Sequence, residues 1–205
     1  AKAERELSEL WRGSNPRHRA QEFWLLVRLP NREEYFNEAL NDDDPNIRIL
    51  ALRAARQSDY KVLEIAGKVV RDPSPQVRRE VAIAIRNFDS AEAADIWATL
   101  AMQYNGKDRW YLEALGIGAD IHRDLFFNTW LKKVGNSWNS EAGKDIVWRS
   151  RSASAVPLVA KLIESSGDQE MLRREGLARV QPHRVRVLQP GAAVEDLRPR
   201  RRQVA

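Results

Sequence analysis

Three prolines set the frame for this chain. Pro16, Pro45 and Pro73 stand 29 and 28 residues apart. Each follows a polar residue (Asn15, Asp44 or Asp72), and each is followed by an arginine and an apolar, alanine-rich run. A fixed period near 30 residues is the mark of a repeat array, in which each unit buries its apolar face only against its neighbours. The local chemistry points to a helix start. An Asx side chain can accept from free backbone N–H groups, and proline in the first helical turn gives up no hydrogen bond.

The runs after these prolines carry a helical period. Ile47, Leu50, Ala51 and Ala54 share one face, as do Val77, Val81, Ala84 and Ile85. Alanine on such a stripe lets neighbouring helices come close. The reading predicts an N-terminal helix over 2–11 and then helices over 16–28, 33–40, 45–56, 60–70, 73–86 and 91–104. The pattern continues more loosely over 108–119, 123–134, 141–150 and 154–165, with the Gly/Asn/Ser-rich stretch 135–140 as a link. Connections of a few residues force antiparallel neighbours. The expected fold is all-α: an α-α superhelix of about five helix pairs preceded by one helix.

Charge divides the chain. Residues 173–205 hold nine arginines, no lysine and three acids, whereas residues 1–172 hold 25 basic and 26 acidic residues. The reading therefore assigns 1–172 to the solenoid and 173–205 to an Arg/Pro-rich irregular tail, with one further helix possible over 169–178. Nucleic acid is an unfavoured partner for a near-neutral solenoid. There is no cysteine, which excludes disulfides, thiolate metal sites, cysteine nucleophiles and thioether haem attachment within this chain. No apolar run reaches the length of a membrane span. The first residues are charged and lack the apolar centre of a signal peptide. Because the chain opens inside a helical pattern, it is expected to be a segment of something longer.

Asp-Pro followed by Ile or Val, Arg and an alanine-rich helix resembles the HEAT repeat, so the superhelix is expected to be a HEAT-like or armadillo-type solenoid. In that family the Asp and Arg form a ladder between neighbouring repeats. Carried onto this sequence, the resemblance names Asp44 with Arg48 and Asp72 with Arg78, with Asn15 and Arg19 in the first unit. Four strings extend the likeness: NPRHRAQEFWLLVRLP, IRILALRAAR, GKDRWYLEALGIGAD and WNSEAGKDIVWRSRSASAVPLVAKLI. Over about residues 10–172 they are similar to the HEAT segment of large planctomycete-type multidomain proteins. Those proteins are described as membrane-bound dehydrogenases or haem-binding (cytochrome c) proteins. The resemblance implies an extracytoplasmic spacer or docking element beside redox domains. The family's haem-binding Cys-x-x-Cys-His lies outside this segment, so no cofactor is carried over.

Residues that could carry chemistry are scarce. His18, His122 and His183 are scattered, with none at metal-ligand spacing. Gly116-Ile117-Gly118 lacks the third glycine and the preceding strand of a dinucleotide loop, and reads as close helix packing. Asp42 to Asp44 reads as a solvated turn that caps the next helix. Trp97 and Trp130 fall on apolar stripes and read as core. Two Arg/Trp clusters remain: Arg109, Trp110 and Glu113, then Asp145, Trp148, Arg149 and Arg151. If their helices are adjacent, they share one surface, either as partner-binding anchors or as an inter-repeat ion-pair ladder. The expectation is a non-catalytic protein-interaction or scaffolding solenoid that binds another chain or neighbouring redox domains. The alternatives are a nucleic-acid-binding solenoid of the DNA-glycosylase kind and a lyase acting on a bound cofactor.

Overall fold

The computed structural model describes residues 2–166. By internal packing the chain divides into two units, Ala1–Ser165 and Ser166–Ala205, and the architecture is that of the first. The expected boundary at 172, the helix over 169–178 and the tail over 173–205 lie outside the described residues.

The described residues form an all-α solenoid without strands. Eleven helices follow in order: α1 Lys2–Trp11, α2 Pro16–Leu26, α3 Arg32–Leu40, α4 Pro45–Gln57, α5 Val62–Val69, α6 Pro75–Ala84, α7 Ala91–Met102, α8 Arg109–Ala119, α9 Arg123–Val134, α10 Glu141–Arg149 and α11 Val156–Ser166. Two 3₁₀ turns, Gly135–Asn139 and Ala153–Ala155, flank α10. The expected link over 135–140 is thus largely a 3₁₀ turn.

Side-chain caps start five of the helices. Asn15 accepts from the Arg17 and His18 amides, Asp44 from Asn46, Ser90 from Ala93, Asp108 from Tyr111 and Ser140 from Gly143. The third proline unit departs from the expected register. α6 begins at Pro75 behind Ser74, not at Pro73 behind Asp72. The Asp72 carboxylate already accepts from the Ser74 amide and from Arg48, so it is not free to cap. The true spacing of helix-starting prolines is Pro16, Pro45, Pro75. α5 also starts later than the period suggested, at Val62, because Asp59 and Lys61 adopt left-handed backbone. Tyr60 between them stacks on Phe36 at 5.0 Å, with the Arg32 guanidinium 4.0 Å over its ring.

The helices form two layers. α2, α4, α6, α8 and α10 stack in sequence in one layer. In the other, α5, α7 and α9 stack in sequence, and α1 is tied to α3 by Trp11 and Arg12 donating to Glu38. Between the layers runs one continuous core. Trp11, Phe23 and Phe36 form an aromatic chain with centroids 5.1 and 5.6 Å apart. Farther along, Trp97, Phe126, Phe127 and Trp130 are all buried. Alanines at 51, 54, 55, 82, 84, 93, 94, 98 and 101 are buried among them and keep the helices close.

Two glycines show where this closeness matters. A Cβ at Gly118 in α8 would lie 2.5 Å from the Ala82 carbonyl oxygen of α6, whereas a Cβ at Gly67 in α5 meets nothing within 4 Å. Gly67→Ala is therefore expected to raise stability by roughly 0.5–1 kcal/mol through helix propensity. Gly118→Ala is expected to lower it by about 1–3 kcal/mol, since the backbone of α6 must shift. Urea denaturation of both variants checks the pair, and equal stabilisation would rule out the close approach of α6 to α8.

Candidate functional site

Each of the first two repeats is tied to the next by an arginine reaching forward to an aspartate. Arg19 pairs with Asp42. Arg48 pairs with Asp72 through two parallel bonds, Nε to Oδ2 at 2.7 Å and Nη2 to Oδ1 at 2.8 Å. Arg48 and its counterpart Arg78 also hold the chain entering their own helix. Arg48 Nη1 donates to the carbonyls of Asp42 and Asp43, and Arg78 Nη1 to those of Asp72 and Pro73. The ladder thus corrects the expected pairing. Asp44 is a helix cap and has no place in it, and Asp42 takes that place. Asp72 serves Arg48 of the preceding repeat, not Arg78. The signal was in the sequence: Asp42 and Asp72 are 30 residues apart, as are Pro45 and Pro75, and Arg48 and Arg78.

The two Arg/Trp clusters are brought into contact only in part. α8 and α10 are neighbours. Glu113 sits between them and accepts from Arg109 Nε at 3.1 Å and Arg149 Nε at 2.9 Å. Arg149 lies across α8 at Gly116, where any Cβ would overlap its guanidinium. Arg149, Glu113 and Arg109 therefore form an inter-repeat clasp. Asp145 faces elsewhere and accepts from the Tyr104 hydroxyl at 3.0 Å. Arg151 reaches Asp120 at 3.2 Å, and Asp120 also faces Arg86 at 3.9 Å. Trp148 is half-buried. Beneath the clasp lies a cavity of about 20 Å³ whose walls include Trp97, Leu115, Phe127 and Ile146. It has room for about one water, and so is too small for an organic substrate.

Trp110 is the member of the clusters that the fold leaves out. It is 73 % exposed, while the indole of Trp97, on the other side of the same helix pair, is 3 % exposed and donates to the Leu115 carbonyl at 2.9 Å. Trp110 borders an open groove of about 400 Å³ between α6 and α8. Arg79, Ile83, Glu113, Ala114 and Ile117 line the rest of it. Ile117 is 42 % exposed, which makes the groove an apolar strip flanked by one basic and one acidic side chain.

Electrostatics around the clasp follow from these contacts. The hydrogen bond from Arg149 holds the Glu113 carboxyl below its ordinary value of 4.5, against the opposing effect of burial. A carboxylate with a depressed folded value stabilises the fold above that ordinary value, and the contribution is lost as pH falls through the folded one. Glu113→Gln is accordingly expected to flatten the loss of stability below about pH 4.5. Thermal melts of both proteins from neutral to strongly acid pH check this, and parallel profiles would exclude the clasp as a contributor. Burial, with the bond to Asp145, pushes the Tyr104 phenol up to about 12.

Among the described residues no group of three or more His, Asp or Glu is arranged to hold a metal. His122 faces Asp89 at 3.6 Å, and His18 is exposed at the start of α2. No described helix is long and apolar enough to cross a membrane.

The repeat register, the two layers and the forward-reaching ladder agree with an independent comparison. Residues 33–115 match the family of HEAT repeats. The matched stretch runs from the start of α3 into α8, and it contains the Arg48–Asp72 rung. Neither a curated protein nor a solved structure matches this chain. HEAT repeats commonly mediate protein interaction and are generally non-catalytic.

Proposed function

We propose that this solenoid is a non-catalytic docking element that holds a partner protein against the outer edge of α6 and α8, with Trp110 as the anchor. The observation that carries the reading is the exposure of Trp110 beside an open apolar groove. A large indole left in water serves no packing role. Tryptophan and arginine are also the side chains most often found at the energetic centre of protein interfaces. The arginines nearby support a protein partner over nucleic acid. Arg109 and Arg149 are both engaged with Glu113, and Arg79 faces Asp108 at 3.6 Å, so little unpaired positive charge is presented for phosphates.

The context rests on the resemblance of the four strings to the HEAT segment of multidomain dehydrogenase or haem-binding (cytochrome c) proteins. On that basis the partner is a neighbouring redox domain, of the same polypeptide or of another chain, outside the cytoplasm.

The test is a comparison of native complexes. Affinity-tagged wild-type chain and a Trp110→Ala variant are expressed in the source cells, and co-purifying proteins are quantified. Proteins held by the groove are recovered with wild type and reduced at least roughly tenfold with the variant, as expected for loss of a hot-spot side chain. Equal recovery by both forms would overturn the assignment to Trp110. Recovery of proteins without redox domains would overturn the context alone.

A further inference from the structure

The Arg–Asp ladder stops one rung short, and Arg78, the arginine left without an aspartate, lines a pocket. In the first two rungs the aspartate sits in the turn before the next helix, where its Oδ1 accepts from the amide two residues on: Asp42 from Asp44 and Asp72 from Ser74. The turn before α8 repeats this bond, with Asn105 accepting from Lys107 at 3.0 Å. Two things differ there. The side chain is an amide in place of a carboxylate. The turn is also one residue longer, since α8 is capped by Asp108, and Asn105 is exposed where Asp72 is 7 % exposed.

Arg78 stands where Arg48 and Arg19 stand in their repeats, and no ladder aspartate meets it. Its Nη1 still holds the Asp72 and Pro73 carbonyls, and its guanidinium lies 5.4 Å from the centre of the Tyr111 ring. Its Nε, the atom that in Arg48 binds Asp72 Oδ2, is buried and has no hydrogen-bond partner among the described residues. The Arg78 side chain also lines a pocket of about 130 Å³, together with Pro75, Tyr104, Asn105, Asp108 and Tyr111 among others. The phenols are committed: Tyr104 donates to Asp145, and Tyr111 donates to the Leu100 carbonyl. Asp108 is occupied in capping Tyr111 and faces Arg79 at 3.6 Å. Leaving a buried arginine nitrogen unpaired is costly, and a carboxylate is the group whose geometry matches the arginine fork.

We infer that this pocket accepts a carboxylate from outside the chain, which pairs with the Arg78 guanidinium and supplies the negative charge that Asp72 supplies to Arg48. The pocket is sized for one acidic side chain or a small free carboxylate. Asp108 at its wall keeps the affinity modest and disfavours dianions such as phosphate. The inference does not depend on Trp110, which points into a different groove.

The experiment is an NMR titration that follows the arginine Hε and tyrosine ring resonances of wild type, Arg78→Lys and Arg78→Gln. The probes are acetate, a blocked tripeptide with a central aspartate, and chloride at matched ionic strength. The expected result is a saturable shift of the Arg78 Hε and of Tyr104 and Tyr111 signals in wild type with acetate or peptide but not with chloride. Binding should be roughly tenfold weaker in Arg78→Lys, which keeps the charge but loses the fork. Tighter binding of the peptide assigns the carboxylate to a partner polypeptide, and tighter binding of acetate assigns it to a small molecule. Absence of a saturable shift overturns the inference, as does one that chloride reproduces or that persists unchanged in both variants. Circular dichroism of the variants separates loss of binding from loss of fold.

Discussion

Asp72→Ala is expected to destabilise the solenoid by about 3–5 kcal/mol, the loss typical of breaking a buried ion pair by removing one partner. The side chains of Arg48 and Asp72 are only 11 % and 4 % exposed, so the arginine left behind cannot recover its bonds from water without moving. The same change orphans the Ser74 amide at the start of α6. Exposed pairs of the same chemistry set the contrast. Lys2 and Glu6, 83 % and 58 % exposed, contribute well under about 1 kcal/mol, and Glu6→Ala should be silent. Urea denaturation of the two variants measures the difference. A loss below roughly 1 kcal/mol for Asp72→Ala would mean that the ladder sets register without adding stability.

Trp97→Ala and Trp110→Ala are expected to differ by about as much, although both tryptophans belong to the α7–α8 pair. Trp97 is buried between the layers with Phe126 at 6.1 Å, and its removal should cost about 3–5 kcal/mol. Trp110 projects into water, so its removal should leave the denaturation midpoint within roughly 0.5 kcal/mol of wild type. Equilibrium unfolding of both variants checks the pair. A large loss from Trp110→Ala would make that side chain structural and remove the basis of the docking surface.

Much of the fold was legible before any coordinates. Capping chemistry and a 3.6-residue period mark helix positions because both act within a few residues of chain. The spacing of prolines gave the repeat for the same reason. The readings that failed are those that depended on which of two local options wins. Asp72-Pro73 and Ser74-Pro75 are both acceptable helix starts. The choice falls to Ser74 because Asp72 is claimed by Arg48 from the preceding repeat, a contact 24 residues away in sequence. Asp42 was missed as a ladder residue for a related reason. Next to two other aspartates it looks like part of a solvated turn, and only the packing of α2 on α4 brings Arg19 to it.

The candidate site divides along the same line. That Arg109, Trp110 and Glu113, and Asp145, Trp148, Arg149 and Arg151, form two Arg/Trp clusters was visible in the sequence. That Glu113 joins Arg109 to Arg149, while Trp110 stays exposed at the groove, depends on the rotation of α8 about its axis. At that rotation Gly118 lies against Ala82 and Arg149 lies over Gly116, approaches that a larger residue at either glycine would block.

The sequence by itself determined that this chain is a stack of capped, amphipathic helices with a period near 30 residues, because capping and helical periodicity are local properties of the backbone and its nearest side chains. Only the tertiary structure decided which arginine meets which aspartate, that Trp110 is exposed while Trp148 is half-buried, and that the third rung lacks its acid. Those outcomes depend on contacts between repeats, where long side chains choose among several partners by geometry that no single segment encodes.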